Sequence, residues 1–266
     1  MTMQFAFMSF SCPDLGLKEM IDLAASLGYD AIELRAQDEQ AHGVELDSSP
    51  GQRDDVNAAF AASPIDLCCL AVSCCYADPA TCAGHVADTH AAIDLAADIG
   101  CARLRVFGGG RGQGIDRATA IDQVAAALSS VADHAEERGV TVCVETHDDW
   151  RDPNHMAAVM RACGHRRIAI NWDIMHPIMA AAATIEQSFE IMQPWIRHVH
   201  VHDGRQDGNG SLEFLPIGDG VVDHGAALKC LKAAGYDGAV SGEWIGWEPY
   251  DVHLPRELAS LKALEA

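Results

Sequence analysis

Residues 116–145 read DRATAIDQVAAALSSVADHAEERGVTVCVE, and the two halves of this stretch follow different periods. In the first half Ile121, Val124, Ala125, Leu128, Val131, Ala132 and Ala135 recur at i, i+3 and i+4, which gathers apolar side chains on one face of a helix. Gly139 follows the last turn, where a residue able to adopt a left-handed conformation closes a helix. The second half, VTVCVE, is a short apolar run of strand length that ends on a carboxylate, Glu145. A helix, a glycine and a strand in that order are the unit of a parallel α/β fold.

The unit recurs along the chain. Strands are expected at Gln4 to Ser9, Ala31 to Leu34, Ile65 to Ser73, Ala102 to Phe107, Val140 to Glu145, Ile168 to Trp172, Ile196 to His202 and Ala239 to Gly242. Helices are expected at Leu15 to Leu27, Gln52 to Ala62, Thr81 to Ile99, Asp116 to Arg138, Pro153 to Cys163, Thr184 to Met192, Val222 to Ala234 and Val252 to Leu264. Eight of each in 266 residues predict a single (β/α)8 TIM barrel domain over residues 1–266, with an open doubly wound sheet as the alternative. No Pro/Ser linker or charge block divides the chain. Two long connections, Arg35 to Gly51 and Asp203 to Val221, are expected over the carboxyl face, where such loops shape a substrate pocket.

In such a barrel the strand ends converge. Glu145, Asp173, His200 and Glu243 each sit at the carboxyl end of an apolar run (VTVCVE, IAINWD, IRHVHVH, GAVSGE), so they form an O/O/N/O set suited to a divalent metal. Three carboxylates facing one another would repel strongly without a cation between them. The mixed donors favour Mn²⁺, and Mg²⁺, Co²⁺, Fe²⁺ or Zn²⁺ are also compatible.

Composition narrows the partners. With 39 acidic and 18 basic residues the formal charge is −21, which disfavours nucleic acid and anionic membrane surfaces and points to a small-molecule substrate. The ten cysteines fall inside apolar runs and on helix faces without a CxxC pair, so a reduced, cytoplasmic protein is expected rather than a disulfide framework or zinc ribbon. The N-terminal MTMQFAFMSFSCPD lacks the basic and apolar regions of a leader, and no 18-residue apolar span occurs.

VETHDD around Glu145, NWDIMHP around Asp173, RHVHVHD around His200, the loop PIGDGVVDHGAALKCL and SGEW around Glu243 stand in one order, together with ELR at Glu33 and RVFGGG at Arg105. In these pieces the chain resembles the xylose-isomerase-like barrel superfamily of sugar phosphate isomerases and epimerases, inosose dehydratases and apurinic endonuclease type barrels. The resemblance covers most of the chain. It implies one divalent metal held by Glu145, Asp173, His200 and Glu243, and a polyhydroxylated or keto substrate. It further implies that Glu145 and Glu243 move protons at a carbon beside a carbonyl, through a metal-stabilised enediolate, in a sugar, keto-sugar or cyclitol isomerase or epimerase. A dehydratase of the inosose type and a non-catalytic sugar-binding barrel are the alternatives, and barrels of this kind are compatible with a homo-oligomer. The family's D-x-x-H pattern sets His176 near substrate or metal. The endonuclease branch fits poorly, because its trinuclear zinc cluster uses a D-x-H pair where this chain has adjacent Asp223 and His224 at a helix start.

Other polar residues carry weaker signals. His147 points the same way as Glu145 in an extended segment and is a candidate for a substrate hydroxyl or for supporting another side chain. His198, His200 and His202 share one face of the seventh strand; the HxxD frame to Asp203 selects His200 as the ligand and leaves His198 as a core histidine. Arg205 is a candidate substrate anchor or a surface ion pair. Glu33 could orient a polar group, touch substrate or pair with Arg105. The loop GGGRGQG (108–114) lacks the endings of a phosphate-binding loop, and Trp172, Trp244 and Trp247 are candidates for an apolar wall beside the site or for core packing.

Overall fold

A computed structural model describes residues 3–206 and 212–265, and among them the helix–glycine–strand units close on themselves. The chain runs β1 (Gln4–Met8), α1 (Leu17–Leu27), β2 (Ala31–Arg35), α2 (Pro50–Ala61), β3 (Asp66–Ala71), α3 (Cys82–Asp98), β4 (Arg103–Phe107), α4 (Arg117–Arg138) and β5 (Thr141–Glu145). It continues through α5 (Pro153–Cys163), β6 (Ile168–Asp173), α6 (Met175–Met179), α7 (Ile185–Met192), β7 (Ile196–Val201), β8 (Asp203–Gln206), β9 (Leu212–Leu215), α8 (His224–Ala233), β10 (Ala239–Gly242) and α9 (Tyr250–Glu265). Eight parallel strands form a closed barrel in the order β1-β10-β7-β6-β5-β4-β3-β2, so the expected (β/α)8 architecture is the observed one.

Local chemistry fixes the element ends. Asp116 caps α4 by accepting from the Thr119 N–H at 2.8 Å. Gly139, at φ +74°, closes the helix by donating to the Ala135 and Glu136 carbonyls. The face of α4 read from the sequence is the buried one, and it packs between α3 and α5. The second helix begins at Pro50 rather than Gln52, because Ser49 and Gln52 form a capping box around a proline at the first helical position.

Two elements depart from the sequence reading. The connection after β7 is a two-stranded antiparallel sheet, in which Asp203 pairs with Leu215 and Arg205 with Glu213. Its strands are four residues each, too short to show a period. The five-residue α6 lies directly behind Asp173 and is likewise shorter than any apolar stripe could reveal.

Side chains fill the barrel. Ala6, Ala31, Cys68, Cys69 and Ala239 form a small cluster of their own, and all ten cysteines are free thiols. Trp172 and Trp244 are fully buried core residues: Trp172 packs on Phe189 and Trp244 on His253. Gly108 and Gly109 of the 108–114 loop serve packing, since a Cβ on Gly108 would meet the Trp150 ring at 2.3 Å and one on Gly109 the Cys75 Cβ at 2.7 Å. No helix among the described residues is long and apolar enough to cross a membrane.

Gly242 sits one residue before Glu243, and a Cβ there would meet the Trp244 ring at 2.0 Å. Because that ring is fully buried, it has nowhere to yield. Gly242→Ala is expected to lower stability by about 1–3 kcal/mol. Gly225→Ala, whose Cβ would find its nearest atom at an ordinary 3.4 Å, is expected to leave stability level or slightly raised. Urea unfolding of the two variants checks the contrast.

Candidate metal centre

Strand ends build the centre. Glu145 is the last residue of β5 and Asp173 the last of β6; His200 lies near the end of β7, and Glu243 directly follows β10. One donor atom from each of the four comes within 4.8 Å of the others, and all four residues are buried. His200 Nδ1 stands 3.3 Å from Glu243 Oε2 and 3.6 Å from Glu145 Oε2. Both Glu145 oxygens, Asp173 Oδ2 and His200 Nδ1 have no hydrogen-bond partner. Buried polar atoms are ordinarily paired, so unpaired atoms that face one another mark a place built for something else. A divalent cation fits this donor set of hard oxygens and one imidazole.

The backbone holds the ligands in place. Thr146 Oγ1 donates to the Asp173 carbonyl at 3.0 Å and accepts from the Asp173 N–H at 2.9 Å, tying β5 to β6. Asp173 Oδ1 accepts from the Met175 and His176 N–H groups at the start of α6, which leaves Oδ2 to face the cluster. Asp203, fully buried, accepts from the N–H groups of Gly204, Gly218, Gly220 and Val222, and so shapes the PIGDG loop. In the HxxD frame the aspartate therefore organises a loop. Asp223 caps α8 by accepting from the Ala226 N–H, and His224 is buried against the His202 carbonyl.

Charge sets the behaviour of the cluster. Arg105, 1% exposed, lies 3.1 Å from Glu145 and 3.7 Å from Glu243, while its guanidinium stacks 4.1 Å over Phe107. Arg105 thus pairs with these two glutamates and not with Glu33. Burial and the neighbouring Glu243 push Glu145 up to about 7, held back by Arg105 and His200. Burial would also raise Glu243, but the adjacent His200, followed by Arg105, outweighs it and brings Glu243 to about 2. Burial works against protonation of His202, yet Asp173 carries it to about 9; burial takes His176 down to about 4.

Four of the seven residues singled out for the site converge, two line its edge and one lies apart. His147 and His176 meet ring to ring at 4.4 Å, with His176 Nε2 3.8 Å from Asp173 Oδ2 and His147 Nδ1 2.9 Å from Asp148 Oδ1. Arg205 lies out on the β8–β9 hairpin, 58% exposed, paired with Glu213 at 2.8 Å. His198 is fully buried and bonds Glu33 at 2.8 Å, the core role expected of it. The sequence reading gave no role to His202 or Asn171. His202 Nε2 lies 3.2 Å from Asp173 Oδ2 and Nδ1 bonds the Glu243 carbonyl; strand alternation with His200 was the signal for it. Asn171, paired in register with Glu145, has a buried, unpartnered carboxamide that no motif foretold.

A family model described as xylose isomerase-like TIM barrel matches residues 21–265. L-ribulose-5-phosphate 3-epimerase UlaE of Salmonella paratyphi B is 25% identical over 262 residues, covering 93% of this chain and 85% of its own length. The uncharacterized protein MJ1311 of Methanocaldococcus jannaschii is 28% identical over 130 residues, 46% of this chain. A C-glycoside deglycosidase alpha subunit of Microbacterium trichothecenolyticum is 33% identical over 79 residues, 27% of this chain. The chain spans 43% of the first of these two and 20% of the second. Among solved structures, a probable 3-DHS dehydratase AsbF from Bacillus anthracis superposes with a TM-score of 0.80 at 16% identity, over 98% of this chain and 99% of that one. IolI protein with a bound zinc atom gives 0.81 at 20% identity, over 98% and 96%. These likenesses show the same fold.

The raised Glu145 has a consequence for stability without metal. Its folded value of about 7 lies above an ordinary carboxylate, so the native chain binds a proton that the unfolded chain has lost, and stability falls as pH rises through that window. Glu145→Gln cannot titrate. In chelator-stripped protein its urea midpoint relative to wild type should therefore rise between pH 5 and pH 8. A difference that stays constant over that range contradicts the assignment.

Proposed function

Because the chain belongs to the xylose isomerase-like TIM barrel family, we propose that it is a divalent-metal-dependent isomerase or epimerase of a small sugar, keto-sugar or cyclitol. The observation that carries this reading is the convergence of Glu145, Asp173, His200 and Glu243, in which both Glu145 oxygens, Asp173 Oδ2 and His200 Nδ1 make no hydrogen bond. These residues would hold the ion, with Mn²⁺ favoured by the mixed donors and Mg²⁺, Co²⁺, Fe²⁺ or Zn²⁺ compatible. When bound, such an ion supplies Lewis-acid stabilisation of the negative charge that develops on the substrate oxygens in an enediolate.

The chain's own groups would handle the protons. Two carboxylates on either side of one carbon can remove its proton and return it. Glu243, held low by His200 and Arg105, suits the base that takes the proton beside the carbonyl. Glu145, across the cluster, would return a proton on the other face. Arg105 fixes both carboxylates from beneath. His147 and His176 stand at the edge of the cluster, where their ring nitrogens can meet substrate hydroxyls.

Epimerase chemistry is favoured over dehydration by the likeness to UlaE, which runs through 93% of this chain. A dehydratase would share the first proton abstraction and then expel a β-hydroxyl. The substrate class is a small polyhydroxylated molecule; the charge of −21 supports neither nucleic acid nor anionic membrane as a partner. Ten free thiols are in keeping with a reducing, cytoplasmic setting, and association into a homo-oligomer is compatible with the fold.

Elemental analysis of purified protein incubated with Mn²⁺ should find about one divalent ion per chain, as one such donor set holds one ion. Alanine variants of Glu145, Asp173, His200 and Glu243 should lose it. Wild-type protein that remains metal-free would overturn the reading.

The two-base scheme makes a separate demand. Wild-type protein should exchange substrate carbon-bound hydrogen with solvent deuterium on a keto-sugar or cyclitol, and Glu145→Gln and Glu243→Gln should each slow this by roughly 10²–10⁴-fold. Near-normal exchange in both variants excludes the scheme. Release of water from the substrate would assign the chain to the dehydratases, and a metal-loaded chain that exchanges nothing would be a binding protein.

A further inference from the structure

Glu33 lies on β2, which is not a neighbour of β7 in the barrel, yet its carboxylate crosses the interior to meet two histidines of that strand. His198 Nε2 is 2.8 Å from Oε2, and His200 Nε2 is 3.0 Å from Oε2 and 3.1 Å from Oε1. All three side chains are fully buried. The two rings stand edge to face at 5.3 Å, so one carboxylate serves both without the rings clashing. A register shift between Ile32 and Glu33 in the β2–β3 pairing, and another between Ile170 and Asn171 in β6–β7, flank the contact; such irregularities re-aim side chains in a barrel wall.

An imidazole can give only one nitrogen to an ion, and the hydrogen bond made by the other nitrogen decides which one. His200 Nε2 is engaged by Glu33, and Nδ1 is the atom that faces Glu145 and Glu243 without a hydrogen-bond partner. We propose, on the metal-dependent reading above, that Glu33 is the positioning residue of this centre: by accepting from Nε2 it directs the Nδ1 lone pair of His200 at the cluster. His198 is the second point of the clamp. It holds the carboxylate in the plane from which both nitrogens can be reached, which gives the core histidine a task. Glu33 itself, with no exposed surface, acts only through His200.

A carboxylate present only to neutralise buried charge would leave the identity of the coordinating nitrogen unaffected, and that is the discriminating readout. Nitrogen NMR of histidine-labelled, Zn²⁺-loaded wild-type protein should show His200 bound through Nδ1, with a slowly exchanging proton on Nε2. Coordination through Nε2 overturns the proposal without any variant being made. Glu33→Gln keeps one acceptor oxygen and Glu33→Leu keeps the volume with none. Zn²⁺ affinity, measured by chelator competition, should fall roughly ten- to hundred-fold in the first and further in the second, with faster exchange of the Nε2 proton. Wild-type affinity together with an unchanged His200 signature in Glu33→Gln overturns the role of Glu33 and leaves the centre standing. A wild-type chain that takes up no Zn²⁺ or Mn²⁺ overturns both.

Discussion

Four carboxylates, Glu33, Glu145, Asp173 and Glu243, are held inside the barrel with almost no exposure, and the surrounding structure is arranged to make that tolerable. Two like charges about 5 Å apart repel by roughly 3 kcal/mol at an effective protein dielectric near 20. Among the described residues the compensation is local: Arg105 lies under Glu145 and Glu243, His200 between Glu33 and the cluster, and His202 against Asp173. None of these contacts satisfies every oxygen. Asp173 shows the division: Oδ1 accepts from backbone N–H groups, while Oδ2, which makes no hydrogen bond, faces the cluster. That asymmetry separates a site from an ordinary buried ion-pair network, in which pairing would be as complete as geometry allows.

Rigidity at the strand ends follows from the same constraint. Asp173 is bound through its carbonyl, its N–H and one carboxylate oxygen before anything else is asked of it. His202 bonds the carbonyl of Glu243, and His224 bonds the carbonyl of His202, so a line of hydrogen bonds runs from α8 to the residue beyond β10. Donors placed on strands and fixed by backbone bonds stay within the small tolerance that coordination or proton transfer requires, which loops rarely achieve. The long connections are left free to vary around a fixed centre.

Much of this was legible in the sequence, because the signals were periodic. The face of α4, the glycine after it and the carboxylate at the end of β5 each follow from spacing, and eight such units imply closure. The convergence of Glu145, Asp173, His200 and Glu243 follows in turn, since residues at strand ends of a closed parallel barrel share one face. What escaped has a common cause. The Glu33 contact with His198 and His200 crosses the barrel between strands that are not neighbours, and no spacing along the chain encodes it. Arg105 could be matched with Glu33 or with the cluster on sequence grounds, and only the direction of its side chain decides for Glu145 and Glu243. The short strands β8 and β9 and the five-residue α6 fall below the length at which a period can be seen.

The rim illustrates why the substrate is harder to read than the centre. Phe107, His147, His176, His202, Phe214 and Trp247 succeed one another at ring separations of 5.1, 4.4, 5.7, 5.6 and 6.1 Å, a continuous line contributed by five different segments. Arg205 is outside that line, out on the hairpin and committed to Glu213. Flat faces interleaved with imidazole nitrogens offer apolar contact and single hydrogen bonds, the pairing that suits the C–H faces and hydroxyls of a polyhydroxylated molecule under the proposed reading. Each ring taken alone is an ordinary aromatic or polar residue near a strand end. The line exists only because the barrel closes, so its meaning resides in the fold rather than in any local run of sequence.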